Sequence, residues 1–124
     1  LRFAHQQAAG NCVYYQDTNI FRLFDRVQDV AFLRTYSQEV LGDLLAYDAK
    51  NGSDFAGTLS IYLEENEDIM ATIRRLFIHR NTLTYRLKRI EEITHCRMDD
   101  AEARLNFRLA FKMQAFLSFV QNDK

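Results

Sequence analysis

Apolar residues recur along this chain mostly at steps of three and four positions, which is the spacing of one face of an α-helix. The sequence contains no proline and only four glycines, so few residues interrupt this spacing. The pattern predicts helices at roughly 18–26, 29–47, 54–65, 69–77, 80–93 and 100–120. We therefore predict an all-α fold, a helical bundle with at most one short strand near the N-terminus.

The strand is predicted by the segment CVYY, residues 12–15, whose residue types favour β-structure. It would be the last strand of a preceding domain, and we expect residues 1–16 to be the tail of that domain. The chain begins with Leu rather than Met, which is typical of a fragment.

The clearest break in the helical pattern is the segment NGS, residues 51–53. Gly52 can adopt the left-handed conformation that ends a helix, and Ser53 can cap the next helix. We place a domain boundary here, with connecting helices at residues 17–52 and a separate domain at residues 53–124.

Length and composition narrow the class of protein. A chain of 124 residues with 48% hydrophobic content can form one small packed domain. It contains no apolar run long enough for a membrane span and no signal peptide, so we expect no membrane and a cytoplasmic location. Cys12 and Cys96 lie far apart without further ligands at metal-binding spacing, which predicts neither a disulfide nor a metal site. We also find no glycine-rich loop and no nucleophile with a nearby base, and therefore expect no cofactor and no enzyme activity.

Charge is distributed unevenly along the chain. Residues 1–73 hold five Lys and Arg against eleven Asp and Glu, residues 74–97 hold seven against two, and residues 98–124 hold four against four. The net charges of these segments are −6, +5 and 0, although the whole chain carries only −1. A short basic segment is expected where a polyanion binds, although it can also be an ordinary solvated helix face.

Two predicted helices in this region are separated by only two residues. The apolar face of the first helix consists of Ile69, Ile73, Leu76 and Phe77. The apolar face of the second consists of Leu83, Leu87, Ile90 and Ile93. Because only Ile78 and His79 lie between the helices, they must meet at a tight turn, which is a helix-turn-helix. Asp68 is the predicted N-cap of the first helix, and His79 that of the second.

The polar residues of the second helix have the chemistry of a DNA-binding surface. Arg can bind guanine and Asn can bind adenine through two hydrogen bonds each in the major groove of double-stranded DNA. The predicted base-reading residues are Arg80, Asn81, Thr84 and Tyr85. The predicted phosphate-binding residues are His79, Thr82, Lys88 and Arg89. Three alternatives stay open: Tyr85 could pack against the last helix, Arg86 could pair with an acidic residue inside the protein, and His79 could act only as an N-cap.

The segment RRLFIHRNTLTYRLKRIEEIT, residues 74–94, resembles the C-terminal helix-turn-helix of the PucR/CdaR group of bacterial transcriptional regulators. LLAYDAKNGSDFAGTLSIYLEEN, residues 44–66, is similar to the segment upstream of that motif, and ARLNFRLAFKM, residues 103–113, to the helix that closes it. The resemblance implies that residues 53–124 are the DNA-binding domain of a regulator that responds to nutrients. We expect the effector to bind outside this chain. His95 stands where the family has Gly, so a different C-cap is expected there.

A function of another class is also open: a helical oligomerisation or partner-binding module in which the helix-turn-helix is only scaffold. The last helix has two apolar lines, one formed by Phe107, Phe111, Ala115 and Phe119. The other is formed by Leu105, Leu109, Met113, Phe116 and Val120. Because two apolar faces need two partners, we expect one of them to form a homodimer contact. The alternative is that this face covers residues 18–47 of the same chain.

Overall fold

The computed structural model describes residues 12–122 of the chain, and the side chains of residues 19–121. This part of the chain forms helices and no strand, which confirms the predicted all-α class. The helices are α1 (Cys12–Asp25), α2 (Val30–Asn51), α3 (Phe55–Glu64), α4 (Ile69–Leu76), α5 (Arg80–Thr94) and α6 (Ala101–Asn122). Within the described residues, no helix is both long and apolar enough to cross a membrane. The expectation for residues 1–11 falls outside the described part of the chain.

The N-terminal strand prediction is wrong, because residues 12–15 form the first turn of α1. The β-propensity of a short segment depends strongly on its context, and the described residues contain no strand that could pair with this one. Downstream, Ile20, Phe21 and Phe24 follow at helical spacing and pack into the interior, so the helix continues through both segments.

The break after α2 is partly as predicted. Gly52 ends α2 with a left-handed φ of 63°, and its N–H donates to the carbonyl of Asp48. Ser53, however, is not the N-cap of α3: that position is held by Asp54, whose carboxylate accepts a hydrogen bond from the N–H of Gly57 at 2.9 Å. The Ser53 hydroxyl instead donates to the Asp48 carboxylate at 2.6 Å.

Asp48 and its neighbour Tyr47 attach the end of α2 to the start of α3. The Asp48 carboxylate accepts hydrogen bonds from the N–H groups of Phe55 at 2.8 Å and Ala56 at 2.9 Å. These are N-terminal donors of α3 that have no partner within the helix itself. The ring of Tyr47 stacks on that of Phe55 with centroids 5.3 Å apart. One carboxylate and one aromatic ring thus fix the relative position of the two helices.

The described side chains form two hydrophobic clusters. The helix-turn-helix cluster contains Leu41, Leu44, Phe55, Ala56, Leu59, Tyr62, Leu63, Ile90, Met98, Ala103, Phe107 and Ala110. The N-terminal cluster contains Phe21, Phe24, Leu33, Met113 and Phe116. Residues of α2 and α6 belong to both clusters, so these two long helices connect them. Leu41 and Leu44 precede residue 52 and still pack into the first cluster; the domain boundary at that position stays a prediction.

The two apolar lines of α6 are largely covered by the same chain. Phe107 is 2% exposed and lies in the helix-turn-helix cluster. Phe116 and Phe119 pack edge-on against Phe21, with ring centroids at 5.4 Å and 6.1 Å. The alternative interpretation, in which this face covers residues 18–47, is therefore the one the structure has. An exposed phenylalanine line, which was our reason to expect a homodimer, is not present.

Candidate nucleic-acid interface

Both helices of the helix-turn-helix begin at the predicted caps. The Asp68 carboxylate accepts a hydrogen bond from the N–H of Ala71 at 2.9 Å. At the start of α5, the His79 Nδ1 accepts one from the N–H of Asn81 at 3.0 Å. Thr72, inside α4, is fully buried, and its hydroxyl donates to the Asp68 carbonyl at 2.7 Å. This hydrogen bond satisfies the only polar group of the buried Thr72 side chain.

The turn between α4 and α5 places Phe77 differently from the prediction. Phe77 is the C-cap of α4 with a left-handed φ of 56°, and its N–H donates to the carbonyl of Ile73. Its side chain is 93% exposed, so it does not continue the apolar face of α4. The prediction was wrong because the helical spacing holds only up to Leu76. The positive φ of Phe77 directs its own side chain away from that face.

One side of α5 is buried and the opposite side is exposed. Leu83 and Ile90 are completely buried. All four predicted base-reading residues are exposed, together with one predicted phosphate ligand: Arg80, Asn81, Thr84, Tyr85 and Lys88. Tyr85 retains 60% of its accessible surface, so it is not packed against α6. The structure thus brings the predicted base-reading set together on one exposed surface.

The remaining predicted phosphate ligands differ in accessibility. His79 is exposed while serving as the N-cap, and Thr82 is half-buried with its N–H donating to the His79 carbonyl at 3.0 Å. Arg89 is half-buried, and its guanidinium is 2.6 Å from the Glu92 carboxylate. It also lies over the Tyr47 ring, 5.4 Å from the centroid. Interaction with Tyr47 and then with Glu92 raises the pKa of Arg89 above its ordinary value.

Three further cations of the basic segment also have partners within the protein: Arg75, Arg97 and Arg86. Arg75 forms ion pairs with Glu64 at 2.8 Å and Glu65 at 2.9 Å, and hydrogen bonds to these carboxylates raise its pKa. Arg97 pairs with Asp99 at 2.8 Å.

Arg86 donates a hydrogen bond to the Thr58 hydroxyl at 3.0 Å. The expected structural role of Arg86 is present, but its partner is a hydroxyl rather than a carboxylate.

Three cations of residues 74–97 have neither an ion-pair nor a hydrogen-bond partner among the described residues: Arg74, Arg80 and Lys88. All three are exposed. Arg74 was not among the predicted site residues, although its position in the basic segment was a signal for it. The free positive charge is therefore smaller than the sequence count indicates, and it lies on α4 and α5.

Sequence reasoning also missed how α6 holds the turn before α4. Asn66 and Glu67 both have left-handed backbones, with φ of 58° and 61°. Arg108 donates to the Leu63 carbonyl at 2.7 Å and pairs with the Glu67 carboxylate, which also lies 3.5 Å from Arg104. The signals available in the sequence were two arginines one helical turn apart and, elsewhere in the chain, an acidic loop. They fix an unfavourable turn and so position the start of the helix-turn-helix.

The C-terminal end of α5 is also held within the protein. The Glu91 carboxylate accepts a hydrogen bond from the N–H of Met98 at 2.8 Å, which closes the loop that follows the helix. His95 is the C-cap with a left-handed φ of 59°. The expectation of a different C-cap was wrong: His95 adopts the conformation that would suit Gly, at a conformational cost.

Comparison with known proteins identifies the region that contains this surface. Residues 55–113 match the PucR C-terminal helix-turn-helix domain. The purine catabolism regulatory protein of Bacillus subtilis is 44% identical over 61 residues, which are 49% of this chain and 12% of that protein. The proline-responsive transcriptional activator PutR of Bacillus subtilis is 32% identical over 95 residues, 77% of this chain and 23% of that protein.

A third relative comes from another bacterium. The carbohydrate diacid regulator of Escherichia coli is 32% identical over 104 residues, 84% of this chain and 26% of that protein. The chain thus spans about a quarter or less of the length of these relatives. No match was found among the solved structures. The names of these relatives describe regulators and a transcriptional activator, and none of these names is that of an enzyme. The chain contains a domain of the PucR C-terminal helix-turn-helix family, and the matched residues include α4 and α5, which carry the exposed basic surface.

Proposed function

We propose that this chain binds double-stranded DNA in a sequence-specific manner, with the N-terminal part of α5 in the major groove. The observation that carries the proposal is the exposed set on α5: Arg80, Asn81, Thr84 and Tyr85. Arg80 has no carboxylate partner within the described residues, and its guanidinium is therefore available for bidentate contact with guanine. Asn81 next to it offers the matching pair of groups for adenine.

Phosphate contacts would supply affinity and register. Lys88 is exposed and has no ion pair within residues 19–121, and His79 and Thr82 lie at the positive end of the helix. Arg89 would have to leave Glu92 before it could bind phosphate, so we assign it a smaller share than Lys88.

The proposal includes a role in bacterial transcription without catalysis of its own, in the cytoplasm where the DNA lies. The relatives are much longer and carry names that refer to purine catabolism, proline and carbohydrate diacids. We therefore propose that the effector binds to a region outside this chain.

Selection from a random pool of duplexes tests the proposal. We expect the wild-type chain to enrich a defined sequence at moderate salt, and the Arg80→Glu variant to lose this binding. Arg97→Glu is the matched control, because Arg97 is exposed, pairs with Asp99 and lies beyond the end of α5. If the wild-type chain enriches no sequence, it is not an autonomous DNA reader.

A homodimer is the second part of the proposal, since dimeric helix-turn-helix proteins place two recognition helices on successive half-sites. Its contact would lie where α2 meets the start of α6. Phe32 is 56% exposed, and its ring lies 6.4 Å from that of Tyr36. The Tyr36 hydroxyl donates to the Asn106 side chain at 3.2 Å, next to Leu105, which is 48% exposed.

Sedimentation at increasing concentration tests this contact. The wild-type chain should dimerise, and Phe32→Glu and Leu105→Glu should each weaken the dimer. Leu23→Glu is the control, because Leu23 is 60% exposed but lies on α1. A wild-type chain that stays monomeric would show that the patch is not a dimer contact. Arg80→Glu should leave self-association unchanged, which separates DNA reading from a function in oligomerisation alone.

A further inference from the structure

Phe77 combines two unfavourable features in one residue. Its side chain is 93% exposed, which keeps a large apolar ring in water. Its backbone has a φ of 56°, a conformation that a bulky residue rarely adopts. Glycine would avoid both costs at the C-cap of a helix. Where local rules are broken without a packing gain, a functional contact is the physical explanation to test.

The position of Phe77 indicates what that contact would be. It is separated from Arg80 by only two residues, so their Cα atoms lie within about 11 Å of each other. Arg80 is an exposed cation without a partner among the residues that the structure describes, and Arg74, three residues before Phe77, is another. An exposed ring between two unpaired arginines is complementary to a partner with both negative charge and apolar groups. DNA has both: phosphates along its backbone, and thymine methyl and deoxyribose groups beside them.

We infer that Phe77 makes an apolar contact with DNA at the edge of the site read by α5, between a phosphate contact from Arg74 and the base contact of Arg80. This inference rests on the proposed function and adds two residues, Phe77 and Arg74, to the interface. The ring contacts a thymine methyl or a deoxyribose, both of which are apolar groups within reach of the groove edge.

The matched pair of variants is Phe77→Gly and His95→Gly. Both residues are C-caps with left-handed backbones, at φ of 56° and 59°, and both side chains are exposed. Each substitution should raise the thermal unfolding temperature, because glycine adopts this conformation without strain. Only Phe77→Gly should weaken DNA binding, by roughly five- to twenty-fold, as expected from the loss of a partly buried phenyl ring.

Salt and base composition give the specific readouts. Phe77→Gly should leave the dependence of affinity on salt unchanged, because it removes no charge, whereas Arg74→Ala should reduce the slope by about one counterion. Replacing individual thymines by uracil removes only the methyl group. A loss of wild-type affinity at one such position, absent in Phe77→Gly, assigns the contact to thymine. No loss at any position, with Phe77→Gly still weak, assigns it to deoxyribose.

Two results would overturn the inference in distinguishable ways. If the wild-type chain binds and selects DNA while Phe77→Gly binds as tightly as His95→Gly, the ring does not contact DNA and the proposed function stands. That result would favour a protein partner for the exposed ring. If the wild-type chain binds no DNA, the proposed function and this inference fail together.

Discussion

The two ends of α5 differ in what their polar side chains contact. At the N-terminal end, the side chains of Arg80 and Asn81 are exposed and have no hydrogen-bond or ion-pair partner among the described residues. At the C-terminal end, Arg89 is held by Glu92 and Tyr47, and Glu91 accepts the N–H of Met98. One end thus presents free hydrogen-bonding groups, whereas the other attaches the helix to the protein.

This difference shows that the positive charge of a segment is not the same as the charge it offers to a ligand. Residues 74–97 carry a net charge of +5 by count. Four of their seven cations interact with groups inside the protein, and those without a partner in the described part of the chain are Arg74, Arg80 and Lys88. A guanidinium that already has a carboxylate partner must lose it to bind phosphate, which lowers the net gain.

The largest expected effect is on stability and tests the anchoring of α5. Ile90 is completely buried in the helix-turn-helix cluster, so Ile90→Ala should lower the free energy of unfolding by about 2–5 kcal/mol. Asn81→Ala, on the exposed side, should change it by no more than about 0.5 kcal/mol. Urea denaturation of both variants measures this. Equal losses would mean that Asn81 is a structural residue and that the two ends do not differ.

The next effect concerns base reading at the N-terminal end of α5. Asn81→Ala should cost about 1–3 kcal/mol of binding free energy on the preferred duplex and relax the preference at one base pair. Titration of preferred and scrambled duplexes gives both quantities. If the variant binds both duplexes more weakly by the same factor, Asn81 contacts the DNA backbone and the helix is docked in another orientation.

A smaller effect separates the free cation from the bound one. Lys88→Ala should weaken binding to all sequences alike and reduce the slope of affinity against salt by about one counterion. Arg89→Ala, one residue further along, should reduce the slope by less, because its guanidinium is paired with Glu92. Affinity measured over a series of salt concentrations decides between them. An equal reduction for both variants would indicate that the Arg89–Glu92 pair opens on binding DNA.

The helices and their caps could be predicted because they depend on residues close in sequence. Periodic apolar positions indicated each helix of the helix-turn-helix, and Asp68 and His79 were recognisable N-caps. Two of the local errors arose where a residue departs from its average preference. The β-prone residues 12–15 continue into a helix, and Phe77 adopts a left-handed backbone that periodicity does not anticipate.

Arg89 and Arg97 pair with carboxylates close in sequence, but the partners of Arg75 and Arg86 could not be predicted, because they lie far away along the chain. Arg75 pairs with residues ten and eleven positions earlier, and Arg86 donates to a hydroxyl 28 positions earlier. Arg108 reaches a carbonyl 45 positions earlier. Such pairs depend on how the helices pack, so a count of charges along the chain cannot tell a free arginine from a bound one.

The smallest expected effect comes from releasing Arg89 from its partner, so that it changes from a bound cation to a free one. Glu92→Gln removes the carboxylate that lies 2.6 Å from the Arg89 guanidinium, and Glu92 is itself exposed. The freed cation should strengthen DNA binding a few-fold and raise the salt slope by less than one counterion. Removing a negative charge near DNA would also strengthen binding on its own, so the same substitution is made in the Arg89→Ala background. A smaller gain there shows that Glu92 restrains Arg89. An equal gain would mean that Glu92 acts only through its own charge, and the pairing of Arg89 would then have no influence on binding.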